Sequence, residues 1–365
     1  MHWKRYIEAV TIFATVMELM PSHERIYLDH AASTPIIPAA REAMAEAMLR
    51  WANPSSPHHE GRAARATLED ARARMAAALD WDGEVIFTSG ASEAITLGLR
   101  GSGAMASSVE HDAVLAVAGP KRLPVTSDGH VDLGSVSGAG RFAVQSVNSE
   151  TGVIQPMQDI AAAVHTAGGI LFADCSQSAG KLALPEADMI SVSAHKLGGP
   201  PGMGALLVRN LGLLSPTGGQ EQGYRRGTEN LPAAVGFATA LEAGFGWMEN
   251  AARLRKILDE AIVSTGGIVV ASASNRLATI GSYRMPGVAA SSQLINFDMA
   301  GLAISAGSAC SSGTLKTSHV LTAMGWDDRS ASEVVRVSFG PKTNDSDIAR
   351  FIDVWRSINA RAKAA

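Results

Sequence analysis

Two cysteines in 365 residues, Cys175 and Cys310, leave this chain without a disulfide framework, as expected of a protein kept in a reducing cytoplasm. A strong charge imbalance is also missing. The 31 Lys and Arg face 35 Asp and Glu, a formal net charge of -4, so neither nucleic acid nor an anionic membrane is expected as a partner. Long uninterrupted apolar runs are absent as well. Near the N-terminus, Val10, Ile12, Phe13, Val16, Met17, Leu19 and Met20 follow Lys4 and Arg5, but Glu8 and Glu18 interrupt the stretch. It is too short and too charged to span a bilayer, and no small-x-small cleavage site follows it. Residues 1–24 are therefore expected to form an N-terminal extension, a docked amphipathic helix.

What is present is an ordinary globular composition, 46% apolar and 18% charged. Single cores stop growing near about 250–300 residues, so two domains are expected. The larger runs over 25–247, and the smaller over 248–365, with the first residues of the larger able to pack on the smaller. Pro38 opens a helix reaching about Arg50, and 60–79 forms a second with Ala64, Leu68, Ala71, Met75 and Leu79 on one face. Short apolar runs at 84–88, 109–118, 142–147, 158–167, 169–173, 188–193 and 204–208 alternate with helices, the pattern of a mostly parallel α/β sheet. Beyond a helix near 232–247 the pattern becomes α+β. A helix at 250–264 precedes strand-like runs at 267–271, 278–284 and 292–298, then helices near 300–305, 316–324 and 344–360.

The densest chemistry lies in Ser193-Ala194-His195-Lys196-Leu197-Gly198-Gly199-Pro200-Pro201-Gly202, after the run 188–193. A lysine at a strand end becomes a Schiff-base nucleophile when desolvation or nearby cations lower its pKa. Pyridoxal 5'-phosphate (PLP) enzymes pair such a lysine with an acid against the ring nitrogen. Asp174, closing the run 169–173, is the candidate for that acid, and Gln177 is positioned to donate to the ring hydroxyl. Thr88-Ser89-Gly90-Ala91-Ser92-Glu93 joins a strand to a helix, a phosphate seat built from free N–H groups and the helix dipole. His111 precedes a helix and can cover a ring and relay protons. Cys310 is flanked only by small or hydroxylic residues, which suits a thiol on an exposed loop. Cys175 reads as an inert buried thiol. Arg336, alone in the β-like run Val334–Gly340, needs an anionic partner, which a substrate carboxylate would supply.

Together these motifs resemble the cysteine desulfurases of the class V aminotransferase family. The resemblance runs from about Tyr27 to Ile352 and includes Leu28-Asp29-His30-Ala31-Ala32-Ser33-Thr34-Pro35 and Asn53-Pro54-Ser55-Ser56. Arg225-Arg226-Gly227-Thr228-Glu229-Asn230 and Gly307-Ser308-Ala309-Cys310-Ser311-Ser312-Gly313 point to its NifS/IscS-like branch. The resemblance implies PLP fold type I, with a mostly parallel seven-stranded sheet in the large domain. It implies Lys196 as the cofactor-bound lysine, with Ala91, Ser92, His111, Asp174, Gln177, Ser193 and His195 around the cofactor. Thr228 would reach the partner's cofactor in a homodimer, and Asn148 and Arg336 would hold the substrate carboxylate. No metal is implied. The implied reaction converts L-cysteine to L-alanine, leaving a persulfide on Cys310 for a sulfur-acceptor protein in iron–sulfur or thio-cofactor assembly. A selenocysteine lyase, another class V aminotransferase and a non-enzymatic scaffold for a sulfur-handling partner are the alternatives. The pattern departs from the family's at His30, Thr96, Ser149 and Pro341, and none of these removes a catalytic group.

Overall fold

The computed structural model describes residues 25–307 and 317–364. The expected helix over 1–24 and Cys310 lie outside the described residues. Seven strands form the main sheet: β2 (Glu84–Thr88), β3 (Met105–Ser107), β4 (Arg122–Leu123), β5 (Arg141–Gln145), β6 (Ile170–Asp174), β7 (Met189–Ser193) and β8 (Gly204–Val208). Their order is β2-β8-β7-β6-β5-β3-β4, all neighbours parallel except around β8, which runs against both β2 and β7. β2 therefore runs the same way as β7, and the carboxyl ends of six strands share one edge.

The sheet is buried on both faces, as parallel sheets are. Val85 and Phe87 of β2 enter one core and Ile86 the other. The first core is closed by helices Pro38–Ala47, His59–Ala78, Met157–Thr166 and Leu231–Glu242, the second by helix Ala91–Leu99. In helix 59–78, Gly61, Ala64, Leu68, Ala71 and Met75 are buried at helical spacing, so the sequence periodicity is the packing face.

A separate core forms around β9 (Ile268–Val269), β10 (Ile280–Arg284) and β12 (Val334–Ser338), an antiparallel sheet of order β12-β10-β9. Helices Met248–Ser264, Ala290–Met299 and Asp345–Ala364 cover it, with Phe297 stacked on Phe351 at 4.6 Å between centroids. Two short strands, β1 (Ile26–Tyr27) and β11 (Leu302–Ala303), pair in parallel, and Leu28 lies in this core, so residues 26–28 pack here before the chain crosses to the main sheet. Among the described residues no helix is long and apolar enough to cross a membrane.

Three segments differ from the sequence reading. Residues 292–298, expected as a strand, lie within helix 290–299, because burial falls on Ala290, Gln293 and Phe297, three and four residues apart, while Ile295 and Met299 face outward. Residues 300–305, expected as a helix, instead hold β11, whose partner strand β1 lies 276 positions earlier. The run 109–118 likewise contains no strand: β3 has already ended at Ser107, and only Asp112–Leu115 is helical.

Candidate active site

The carboxyl edge of the main sheet opens into a cavity of about 380 Å³, within the usual range for small-ligand pockets. Its lining includes Ala91, Ser92, His111, Asp174, Gln177, Ser193, His195 and Lys196. Eight residues singled out in the sequence, spread over more than a hundred positions, thus meet at one place. Sheet topology does this, since each follows or closes a strand at the shared edge.

Lys196 sits on the short turn Ala194–Lys196 after β7. Its Nζ donates to the carbonyls of Ala31 at 2.6 Å and Ala32 at 3.0 Å. Burial and the nearby Arg336 guanidinium push its ammonium down to about 8, against Asp174 and Asp29. A second lysine, Lys181, donates to the carbonyls of Gln177 and Lys196, tying the two cofactor-facing loops together. Burial, and then the neighbouring Lys196, brings it to about 8 as well. His195 is pushed down to about 4 by burial and by Lys196, so it is neutral at physiological pH.

Asp174 closes β6, where the register sets it beside Ser191. Its Oδ1 accepts from the Ser176 amide at 2.9 Å, from the Ser176 hydroxyl at 2.6 Å and from the Ser191 hydroxyl at 2.9 Å. Its Oδ2 accepts from none of the described residues. Gln177 donates through Nε2 to the Ala31 carbonyl, and its Oε1 is buried with no partner among the described residues. The unfilled atom is therefore an acceptor, where the sequence reading had expected a donor. His111 caps the short helix after it. Its Nδ1 accepts from the Ala113 amide at 3.1 Å, which fixes the proton on Nε2.

At the start of helix 91–99, the amides of Ala91, Ser92 and Glu93 donate to no acceptor among the described residues. Gly204, the first residue of β8, lies against this turn. A Cβ there would sit 2.6 Å from the Gly90 carbonyl carbon. The cavity therefore offers an anion seat, an unpaired carboxylate oxygen, an orphaned buried amide oxygen and an amine near neutrality. Those four features fit the phosphate, ring nitrogen, ring hydroxyl and aldehyde of PLP.

Three expected residues lie off this lining. Asn148 is buried, and its Oδ1 accepts from the amides of Glu150 and Thr151 and from the Thr151 hydroxyl. Its Nδ2 donates to the Val109 carbonyl, so it shapes the turn that brings Ser149 to the cavity. Arg336, on β12, pairs through Nη2 with Asp29 at 2.8 Å and donates through Nη1 to the Ser149 carbonyl; its Nε is buried and unpartnered among the described residues. Thr228 is exposed, on a loop anchored by the buried Glu221, which takes a two-pronged hydrogen bond from Arg72. Cys175 is fully buried, and burial pushes its thiol up to about 12, leaving it inert at neutral pH. The sequence reading missed Asp29 as the partner of Arg336 and Glu110 as a buried acid beside His111. A glutamate set between Val109 and His111 was the visible sign of the second.

Fold and cavity define a PLP-dependent enzyme of fold type I. The aminotransferase class-V family matches residues 26–351, and the chain belongs to that family, in its NifS/IscS-like branch. A cysteine desulfurase of Cereibacter sphaeroides is 34% identical, the match covering 93% of this chain and 97% of that protein. An IscS-like cysteine desulfurase of Mycobacterium tuberculosis is also 34% identical, over 93% and 97%. Among solved structures, a NifS-like protein from Rickettsia africae superposes with a TM-score of 0.85 at 27% identity, covering 92% of this chain and all of that one. SspA, solved in complex with cysteine, superposes with a TM-score of 0.76 at 29% identity, over 87% of this chain and 100% of that one.

Proposed function

We propose that this chain is a cysteine desulfurase that converts L-cysteine to L-alanine and leaves the sulfur as a persulfide on Cys310. The observation that carries the reading is the near-neutral amine of Lys196, held in one cavity with Asp174, Gln177, His111 and the free amides at 91–93. Bound PLP supplies an electron sink for the carbon that bears the substrate amine. The amides of Ala91 and Ser92, with the neighbouring hydroxyls, hold its phosphate, Asp174 Oδ2 keeps its ring nitrogen protonated, and Gln177 Oε1 accepts from its ring hydroxyl. Lys196 Nζ would take up the α-proton, and the Ala31 and Ala32 carbonyls would stabilise the resulting ammonium. His111 carries its proton on Nε2 and exchanges it with the substrate. Arg336 Nε and the second amide hydrogen of Asn148 hold the substrate carboxylate. The Cys310 thiolate attacks the substrate sulfur. In balance, L-cysteine and a thiol give L-alanine and a persulfide, with no external oxidant.

The two cores support a division into 25–247 and 248–365. Exposed Thr228 supports a homodimer in which it reaches the partner's cofactor, and the sulfur passes to an acceptor protein for iron–sulfur or thio-cofactor assembly in the cytoplasm. The test is incubation of the PLP-loaded chain with L-cysteine and a reductant, following alanine and sulfide together. Equal amounts of both are expected. Lys196→Ala should lose activity by ~10³-fold or more. Cys310→Ala should keep its bound cofactor and visible absorbance yet release no sulfide. Alanine without sulfide from the wild type, or full desulfuration by Cys310→Ala, would sink the reading.

A further inference from the structure

Glu110 has no exposed surface, and no cation pairs with it among the described residues. Its Oε1 accepts from the Ser107 hydroxyl at 2.5 Å and from the Gln145 amide at 2.8 Å, which belong to the last residues of β3 and β5. Its Oε2 is buried without a partner among the described residues. A carboxylate in this position would leave an uncompensated buried charge, which is strongly unfavourable. Its backbone is fixed as well. The Glu110 carbonyl accepts from His319 Nε2 at 2.9 Å, and the preceding carbonyl of Val109 accepts from Gln145 and Asn148. The next residue is His111.

We propose that Glu110 is a positioning residue for His111, a neutral acid that ties the ends of β3 and β5 together and so fixes the backbone from which the next residue, His111, projects. This rests on the role given to His111 above. Burial pushes the Glu110 carboxyl up to about 8, and the Asp174 charge adds to the rise, against the hydrogen bonds from Ser107 and Gln145. The titratable groups around it are Asp174 from β6, His319 at the start of helix His319–Ala323, and His111 on its own loop. Above about pH 8 the acid ionises, and the unpaired charge on buried Oε2 beside Asp174 strains the packing that sets the imidazole.

The experiment uses the PLP-loaded full chain and the variants Glu110→Gln, Glu110→Ala and His111→Ala. Alanine formation by the wild type should decline above about pH 8, and Glu110→Gln, a fixed neutral mimic, should lack that decline. Glu110→Ala should lose about tenfold or more at every pH. Melting supplies a readout independent of activity. The wild-type carboxyl ionises in the unfolded chain in the ordinary carboxylate range but stays protonated in the fold up to about 8. Wild-type stability therefore falls as pH rises through that window, while an amide does not titrate, so the melting advantage of Glu110→Gln should grow from about pH 5 to about pH 8. Superimposable pH profiles with a constant melting difference would overturn the proposal, and so would a Glu110→Gln chain that fails to fold. His111→Ala with undiminished alanine formation would instead sink the reading of the site, whatever the Glu110 variants do.

Discussion

At the level of single residues, the amine of Lys196 is prepared by its surroundings rather than by its own chemistry. Burial and Arg336 bring its ammonium down to about 8 from a value of 10.5. A lysine so depressed destabilises the fold without cofactor wherever it must carry charge, that is, fully below about pH 8. The loss fades between 8 and 10.5, as the unfolded chain also gives up its proton. Lys196→Met apoprotein should therefore melt higher than wild type at pH 7, by up to ~3 kcal/mol, with the advantage shrinking as pH rises toward 10.5. A melting difference that stays flat with pH would count against the depressed amine. That Lys196, Asp174, Ser92 and His111 share one site was legible in the sequence because each has a side chain with distinctive chemistry just after an apolar run. The carbonyls of Ala31 and Ala32 were not legible, because a backbone acceptor carries no residue-type signal. Nor was the Asp29–Arg336 pair, whose members lie 307 positions apart.

At the level of elements, the five-residue strands of the main sheet were read to within two residues, and β2 and β8 with the right bounds. The strands that escaped notice, β3, β4 and β11, have two or three residues, too few for any period to appear. Helix 290–299 was misread for a different reason. Leu294, Ile295 and Phe297 cluster like a strand, yet Ile295 is left exposed and only the helical face is covered. The most constrained junction in the main sheet is the start of β8. Gly204 pairs with both Thr88 and Ser193 while its Cα faces the Gly90 backbone. A methyl there would meet the backbone at 2.6–2.7 Å, and no rotamer can relieve that contact. Gly204→Ala should move the 89–92 turn, destabilise the fold by about 1–3 kcal/mol and weaken PLP binding, as read by melting and by cofactor titration. Unchanged cofactor affinity would mean that the turn is not the phosphate seat.

At the scale of the whole molecule, the two cores are joined where the active site forms. Leu28, near the start of the described residues, lies in the second core, and Asp29 bridges to β12 through Ser338. Ala31 and Ala32 then deliver their carbonyls to Lys196 of the main sheet. The loop around Thr228 has no comparable role within one chain. Arg72 and Glu221 hold its base, Arg225 ties it to Glu93 beside the phosphate seat, and Thr228 itself points to solvent at an exposed position. Such firm anchoring of a residue with no partner among the described residues is explained if a second copy supplies the ligand. Light scattering of the loaded protein should give twice the chain mass. Thr228→Val should leave that mass unchanged while lowering PLP affinity by roughly tenfold or more, the effect of losing one hydrogen bond to a charged phosphate. Dilution below the dimer's dissociation constant should release cofactor from the wild type. In the valine variant, dilution should have a smaller additional effect, because the contact broken by separation is already gone. A monomer that retains PLP as tightly as the concentrated protein would show that each subunit completes its own site.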